Sequence, residues 1–185
     1  MITDVLNDTE SKMKNSIDAL INNLAQVRTG RANAAVLDGI TINYYGQPTP
    51  INQVAAIKTP DAHQLAIEPW DKSQLGPIEK AIAESDLGIM PNNDGTAIRI
   101  PFPKLTEESR KELVKKCSQI AEDGKVSIRN IRRDGNSAIS KTVKDENLSE
   151  DEDRRGQDQI QKLTDTYIKK VEEIFAKKQK EVMEI

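Results

Sequence analysis

Three stretches of this chain repeat apolar residues every three or four positions, and the stretch from 31 to 103 does not. Leu6, Met13, Ile17, Leu20, Leu24 and Val27 keep the helical period, as do Leu113, Cys117, Ile120, Ile128, Ile131 and Ala138. Ile160, Leu163, Tyr167, Val171, Ile174, Phe175 and Val182 carry it a third time. Each stripe covers one face of a helix and not its circumference, so each helix needs neighbours to bury it. The punctuation agrees. Arg28-Thr29-Gly30 predicts the end of the first helix, with a cation in its last turn and glycine at the left-handed position after it. Thr106-Glu107-Glu108 reads as an N-cap and an acidic first turn, and Ser149-x-x-Glu152 as a capping box.

Between the first and second helices the pattern belongs to strands. Ile40–Tyr45 alternates, Gly46–Pro50 reads as a turn with two prolines, and Val54–Ile57 and Gln64–Glu68 suit short strands. Leu75, Ile78, Ala81 and Ile82 mark one short helix, with Pro77 tolerable in its first turn. Pro91–Gly95 reads as a turn and Thr96–Ile100 as a closing strand, and Pro101-Phe102-Pro103 marks the exit. The expected fold is α+β with two domains: a long antiparallel three-helix bundle from 1–30 plus 104–185, interrupted by a small inserted domain over 31–103. The connections Thr29, Gly30, Arg31 and Pro103, Lys104, Leu105 resemble a hinge.

Charged residues make up 31% and aromatics 3%, which favours helices with wet faces over a β-sandwich. No apolar run approaches the roughly 20 residues of a membrane span. Met1–Asp8 lacks the basic and apolar regions of a signal peptide, so a cytoplasmic protein without a membrane partner is expected. Cys117 falls on an apolar helical position and His63 in a turn-like stretch; with neither residue repeated, no zinc site or Cys-His pair can be assembled. Neither G-x-x-x-x-G-K-[ST] nor G-x-G-x-x-G occurs, and the carboxylates are spread over solvated faces. No cofactor and no enzymatic activity are expected.

One run stands apart in a chain of net charge −3: Arg129-Asn130-Ile131-Arg132-Arg133-Asp134. At 100° per residue, Lys125, Arg129, Arg132 and Asn136 fall within about 60° of arc, with Arg133 beside them. Like charges at this spacing repel by a few tenths of a kcal/mol per pair, a cost that alternating signs would avoid. Forked guanidinium groups suit phosphate oxygens. Two other readings stand beside phosphate binding: a solvated face, or pairing with Glu150, Asp151, Glu152 and Asp153 of the third helix. Residues 31–103 carry 5 of the 27 basic and 8 of the 30 acidic side chains, so the helical remainder is densely charged and balanced, and the insert mildly acidic.

Together these segments resemble bacterial ribosome recycling factors. The likeness runs from end to end through Val27–Ala32, Tyr44–Pro50, Ser85–Gly88, Ile98–Pro103, Leu105–Glu108, Arg129–Asp134 and Gln161–Asp165. It implies an L-shaped pair of domains, a three-helix bundle and a β/α/β domain joined by a flexible elbow. It also implies a factor that binds the 70S ribosome after termination and, with the GTPase elongation factor G, splits it into subunits. In the family the bundle lies against large-subunit rRNA, overlapping tRNA positions, while the small domain is pushed by the elongation factor, which owns the GTP. A monomer is expected. Carried over, Arg129 and Arg132 are the principal rRNA contacts, with Arg133 in the same motif, Arg28 and Arg31 flanking Gly30, and Arg110 a weaker candidate. Gly135 departs from the family pattern, where a helix former such as alanine is more usual, and is expected to soften the helix that presents Arg132. A helical protein-interaction scaffold and an enzyme are the rival readings; the first predicts little salt sensitivity, the second a substrate pocket.

Overall fold

The structure, a computed structural model, describes residues 1–184. Its contacts divide the chain into two compact units, Met1–Leu24 with Lys115–Lys180, and Ala25–Val114 with the chain's last residues from Glu181. The expected boundaries at 30/31 and 103/104 lie inside the second unit. The fold is α+β, three long helices and a small sheet domain.

The first unit is built by most of α1 (Ile2–Ala25), α3 (Glu107–Asp145) and α4 (Glu150–Met183); α3 up to Val114 and α4 from Glu181 belong to the second. Contacts fix their directions. Thr9 meets Gly135, Ser16 bonds Ser127 and Leu20 meets Gly124, so α1 runs antiparallel to α3. Ile139 meets Gly156, Gly135 meets Ile160 and Lys125 reaches Glu172, so α3 is antiparallel to α4. Buried Met13, Leu20, Ile128, Ile160 and Tyr167 fill the space between, as the periodicity marked, and Ile139 is buried with them where the stripe was read at its neighbour Ala138. Thr106 Oγ1 accepts the Ser109 N–H at 3.1 Å, as an N-cap should. The capping box closes both ways: Glu152 N–H donates to Ser149 Oγ at 3.3 Å and Ser149 N–H to Glu152 Oε2 at 3.0 Å.

Gly135 is a point of close approach in an unbroken 39-residue helix. A Cβ there would stand 2.8 Å from Ile160 Cδ1 and 2.9 Å from Thr9 Oγ1. Gly135→Ala is therefore expected to destabilise the bundle by up to roughly 2 kcal/mol, an overpacking cost of about 1–3 kcal/mol less the helix propensity of about 1 kcal/mol gained. Urea denaturation followed by helical circular dichroism reads the difference.

The second unit contains β1 (Thr41–Tyr44), β2 (Gln47–Pro50), β3 (Ala55–Asp61), β4 (Gln64–Pro69), α2 (Leu75–Ala83), β5 (Asn92–Asn93) and β6 (Ile98–Pro101). β1 and β2 form a ribbon; the other strands form an antiparallel sheet in the order β3-β4-β6-β5. α2 lies against β1, β5 and β6. Leu65, Ile67, Ile78, Ile98, Ile100 and Phe102 make the centre of its core. Asp94 pins the β5–β6 turn by accepting the Ala97 and Thr96 N–H groups at 2.8 and 2.9 Å. Those donors, with the Thr96 hydroxyl and Arg99, hold its carboxyl well below its ordinary value of 3.8. The turn's contribution is full above that value and declines as pH falls below it.

Three local expectations change. α1 stops at Ala25, so Arg28 is not in its last turn, and Gly30 is not among the glycines with positive φ. The chain leaves the helix early and buries Val27. Gln47–Pro50 is a strand and not a turn; β1 and β2 pair only with each other, and an edge strand tolerates residues without an N–H. Asn92–Asn93 forms a two-residue strand inside the expected turn.

The β3–β4 turn holds both connections to the helices. Ala32 N–H donates to Ala62 O at 2.7 Å, Phe102 N–H to His63 O at 2.6 Å, and His63 Nδ1 lies 2.7 Å from Gly30 O. Leu105 packs beside Gly30. The expected joint residues are thus anchored to the sheet domain at Gly30, Ala32 and Phe102.

Candidate nucleic-acid interface

α3 presents its arginines from the flank that turns toward α4. Lys125 Nζ sits 3.2 Å from Glu172 Oε1, and Ser140 on the same flank bonds Asp153 at 3.1 Å. Arg129 and Arg132 share that flank by helical phase, and Arg133 stands just outside it. Asp134 faces the other way, lining a cleft with Asp4, Asp8 and Lys12 of α1. The one acid is thereby separated from the arginines it follows in sequence.

Acidic neighbours leave most of this positive charge free. Arg129 makes one ion pair, Nη1 to Glu122 Oε1 at 3.4 Å, with both side chains about half exposed (48% and 55%). Such a pair is worth at most about 1 kcal/mol in water and yields easily to a phosphate. Among the described residues no carboxylate stands within ion-pair distance of Arg132 or Arg133, the first half-buried and the second exposed. The acids at the start of α4 are engaged elsewhere: Asp151 with Arg155, Glu152 with Ser149, Asp153 with Ser140 and Gln157. Among the described residues the arginines make no ion pair with Glu150, Asp151, Glu152 or Asp153, the alternative the sequence left open. Lys125 alone of the stripe is drawn into an interhelical pair. Asn136 is half-buried, and its Oδ1 has no partner.

The other candidate cations belong to the second unit. Arg31 is exposed, Arg28 and Arg110 half-buried. Arg31, Lys104 and Arg110 line one cavity of about 790 Å³ with His63, Glu181 and Glu184. Arg110 Nε is buried there without a partner. Arg28 does not line it. Lys104 joins this group without having been marked as a contact; it enters because Leu105 packs beside Gly30, a meeting of two distant segments. Thr29, Gly30 and Leu105 line the same cavity.

Among the described residues no group of three His, Cys, Asp or Glu side chains is placed to hold a metal ion. Cys117 is buried, and burial pushes its thiol above the usual range, away from the nucleophilic thiolate. No described helix is long and apolar enough to cross a membrane.

A family profile described as Ribosome recycling factor matches residues 20–183. A ribosome-recycling factor of Syntrophomonas wolfei is 52% identical over 185 residues, covering 100% of both chains. One from Legionella pneumophila strain Paris is 51% identical with the same coverage. A solution structure of a ribosome recycling factor superposes with a TM-score of 0.78 at 38% identity, covering 100% of this chain and 98% of its own. A T. thermophilus ribosome recycling factor, described with E. coli elongation factor G bound to the E. coli post-termination complex, gives a TM-score of 0.66 at 44% identity, with 100% of both chains covered.

Proposed function

The chain belongs to the ribosome recycling factor family, and from that premise we propose that it binds the post-termination ribosome through large-subunit rRNA and, with elongation factor G, separates the subunits. The observation that carries the rRNA contact is the α3 flank, where among the described residues Arg132 and Arg133 have no acidic partner and Arg129 has only an exposed one. Arginines that repel one another along a helix are accounted for if a polyanion neutralises them. Few aromatics are available for base stacking, so binding rests on phosphates and on the shape of folded RNA. Arg31 and Arg110, with Lys104, offer a second cationic group, and Arg28 lies near it in sequence.

The factor itself is not an enzyme: GTP is bound and hydrolysed by the elongation factor, and this chain supplies binding surface and leverage. It works as a cytoplasmic monomer. Thr29–Arg31 and Pro103–Leu105 act as the joint through which the sheet domain moves. Because Gly30, Ala32 and Phe102 are tied to the 62–63 turn, bending is concentrated on the helix side of those anchors.

Co-sedimentation with 70S ribosomes across a salt series tests the first half of the proposal. Bound fraction should fall steeply with salt, each neutralised phosphate adding about 0.7–0.9 to the slope of log K against log salt. A salt-insensitive complex would point to the scaffold reading instead. A disulfide between cysteines placed at Gly30 and Leu105 tests the joint. The oxidised protein should still sediment with ribosomes but lose subunit splitting, and reduction should restore it; normal splitting in the oxidised form rules out a mechanical role for these segments.

A further inference from the structure

The second unit exposes two large rings, Tyr45 and Trp70. Tyr45 is 78% exposed and Trp70 is 70% exposed, in a chain with only six aromatic residues (Trp 1, Tyr 3, Phe 2). Tyr45 stands at the tip of the β1–β2 ribbon, its ring edge-on to Tyr44 at 4.5 Å between centroids. Its hydroxyl donates to Asp71 Oδ2 at 3.4 Å, and Asp71 follows Trp70 directly in the chain.

The backbone at this tip is strained. Tyr45 has φ +48 and Gly46 +85, a pair of left-handed residues such as a two-residue hairpin turn uses. Asparagine, aspartate or glycine suits the first of these positions; a bulky aromatic there is an outlier. Nothing about core packing calls for it, since the ring points into solvent. Strain held at an exposed ring is the mark of a position kept for contact and not for stability.

Charge decides what the contact is for. The Ser73 hydroxyl and N–H, with the Tyr45 hydroxyl, hold the Asp71 carboxyl below its ordinary value, so it is anionic at neutral pH. In residues 31–103, Lys58, Lys80 and Arg99 are each consumed by Glu68, Glu84 and Asp94. Lys72, next to Asp71, makes no ion pair among the described residues and leaves that carboxylate open. A fixed anion bonded to one exposed ring, with an exposed tryptophan next to it in the chain, attracts a guanidinium or ammonium group and repels a phosphate backbone.

We propose that Tyr45, Trp70 and Asp71 form a docking patch for an arginine- or lysine-bearing segment of a protein partner. It rests on the proposed function only in that the partner would be met on the ribosome.

Trp70 is the chain's only tryptophan, so its emission reports the patch directly. The full-length protein is titrated with a hexa-arginine peptide, a hexa-glutamate peptide and a single-stranded RNA oligonucleotide. A saturable emission change with hexa-arginine alone, abolished by Asp71→Asn, is expected. A response to the RNA in its place, or an undiminished response in Asp71→Asn, overturns the assignment.

Tyr45→Asn separates docking from folding, because asparagine tolerates the left-handed backbone while removing the ring. The variant should keep or raise its thermal midpoint and lose the hexa-arginine response. It should sediment with ribosomes as the wild type does, yet split them about ten-fold more slowly, the scale of losing one anchoring side chain. A lowered midpoint would make Tyr45 structural, and unchanged splitting would remove the patch from function; either overturns the inference. Loss of salt-dependent ribosome binding by the wild-type chain would instead count against the rRNA reading, and leaves the peptide titration to decide the patch by itself.

Discussion

Ribosomal large subunits are expected to bind the Arg129→Ala/Arg132→Ala variant at least about 100-fold more weakly than the wild type. Each charge-assisted hydrogen bond lost to a phosphate costs about 1.5–3 kcal/mol, and the pair supplies two guanidinium groups. The slope of log K against log salt should flatten by about 1.5–2, since two fewer counterions are released. Folding should not suffer. Among the described residues the only ion pair removed is the half-exposed one with Glu122, alanine is the better helix former, and like-charge crowding on α3 is relieved. Equal affinity and equal slope in this variant would mean that the α3 flank does not meet RNA.

A second large effect is expected at Phe102, buried in the core of the sheet domain with its N–H on His63 O. Phe102→Ala removes a fully enclosed ring and should destabilise that unit by about 3–5 kcal/mol. Phe102 belongs to the core cluster of the second unit, and most of the helical residues belong to the first, so most helical signal should survive the loss of the sheet domain. Thermal unfolding should split into two transitions, the earlier one carrying little helical ellipticity. Ribosome sedimentation should persist while splitting stops. A single shifted transition would show that the two units fold as one.

What the sequence disclosed follows how local each determinant is. The Thr106 cap and the Ser149–Glu152 box were legible because donor and acceptor lie three residues apart on one chain segment. The α3 arginines were legible for the same reason, a 3.6-residue period placing them on one flank. Their freedom from acidic partners was not, since it depends on where Asp151, Glu152 and Asp153 spend their contacts. Gly124 and Gly135 read in sequence both as weak points in a helix and as places where neighbouring helices can approach closely; the second holds, and which atoms approach, Leu20 at the one and Thr9 with Ile160 at the other, only the packing shows. β2 was hidden by its two prolines, which signal turns in isolation and become tolerable only on a ribbon edge. The cluster of Arg31, Lys104 and Arg110, and the grip of the 62–63 turn on Gly30 and Phe102, join segments far apart in sequence.

The register of the bundle limits how its genes can drift in length. Thr9 faces Gly135, Leu20 faces Gly124, and Gly156 faces Ile139, so small residues are matched to large ones at fixed heights along all three rods. Deleting one residue from the middle of α1 would rotate everything beyond it by about 100° and swing isoleucines and methionines out of the seam. Insertions are accommodated where no such matching exists, at the turn from Glu146 to Ser149 or beside Gly95, whose outer face is open.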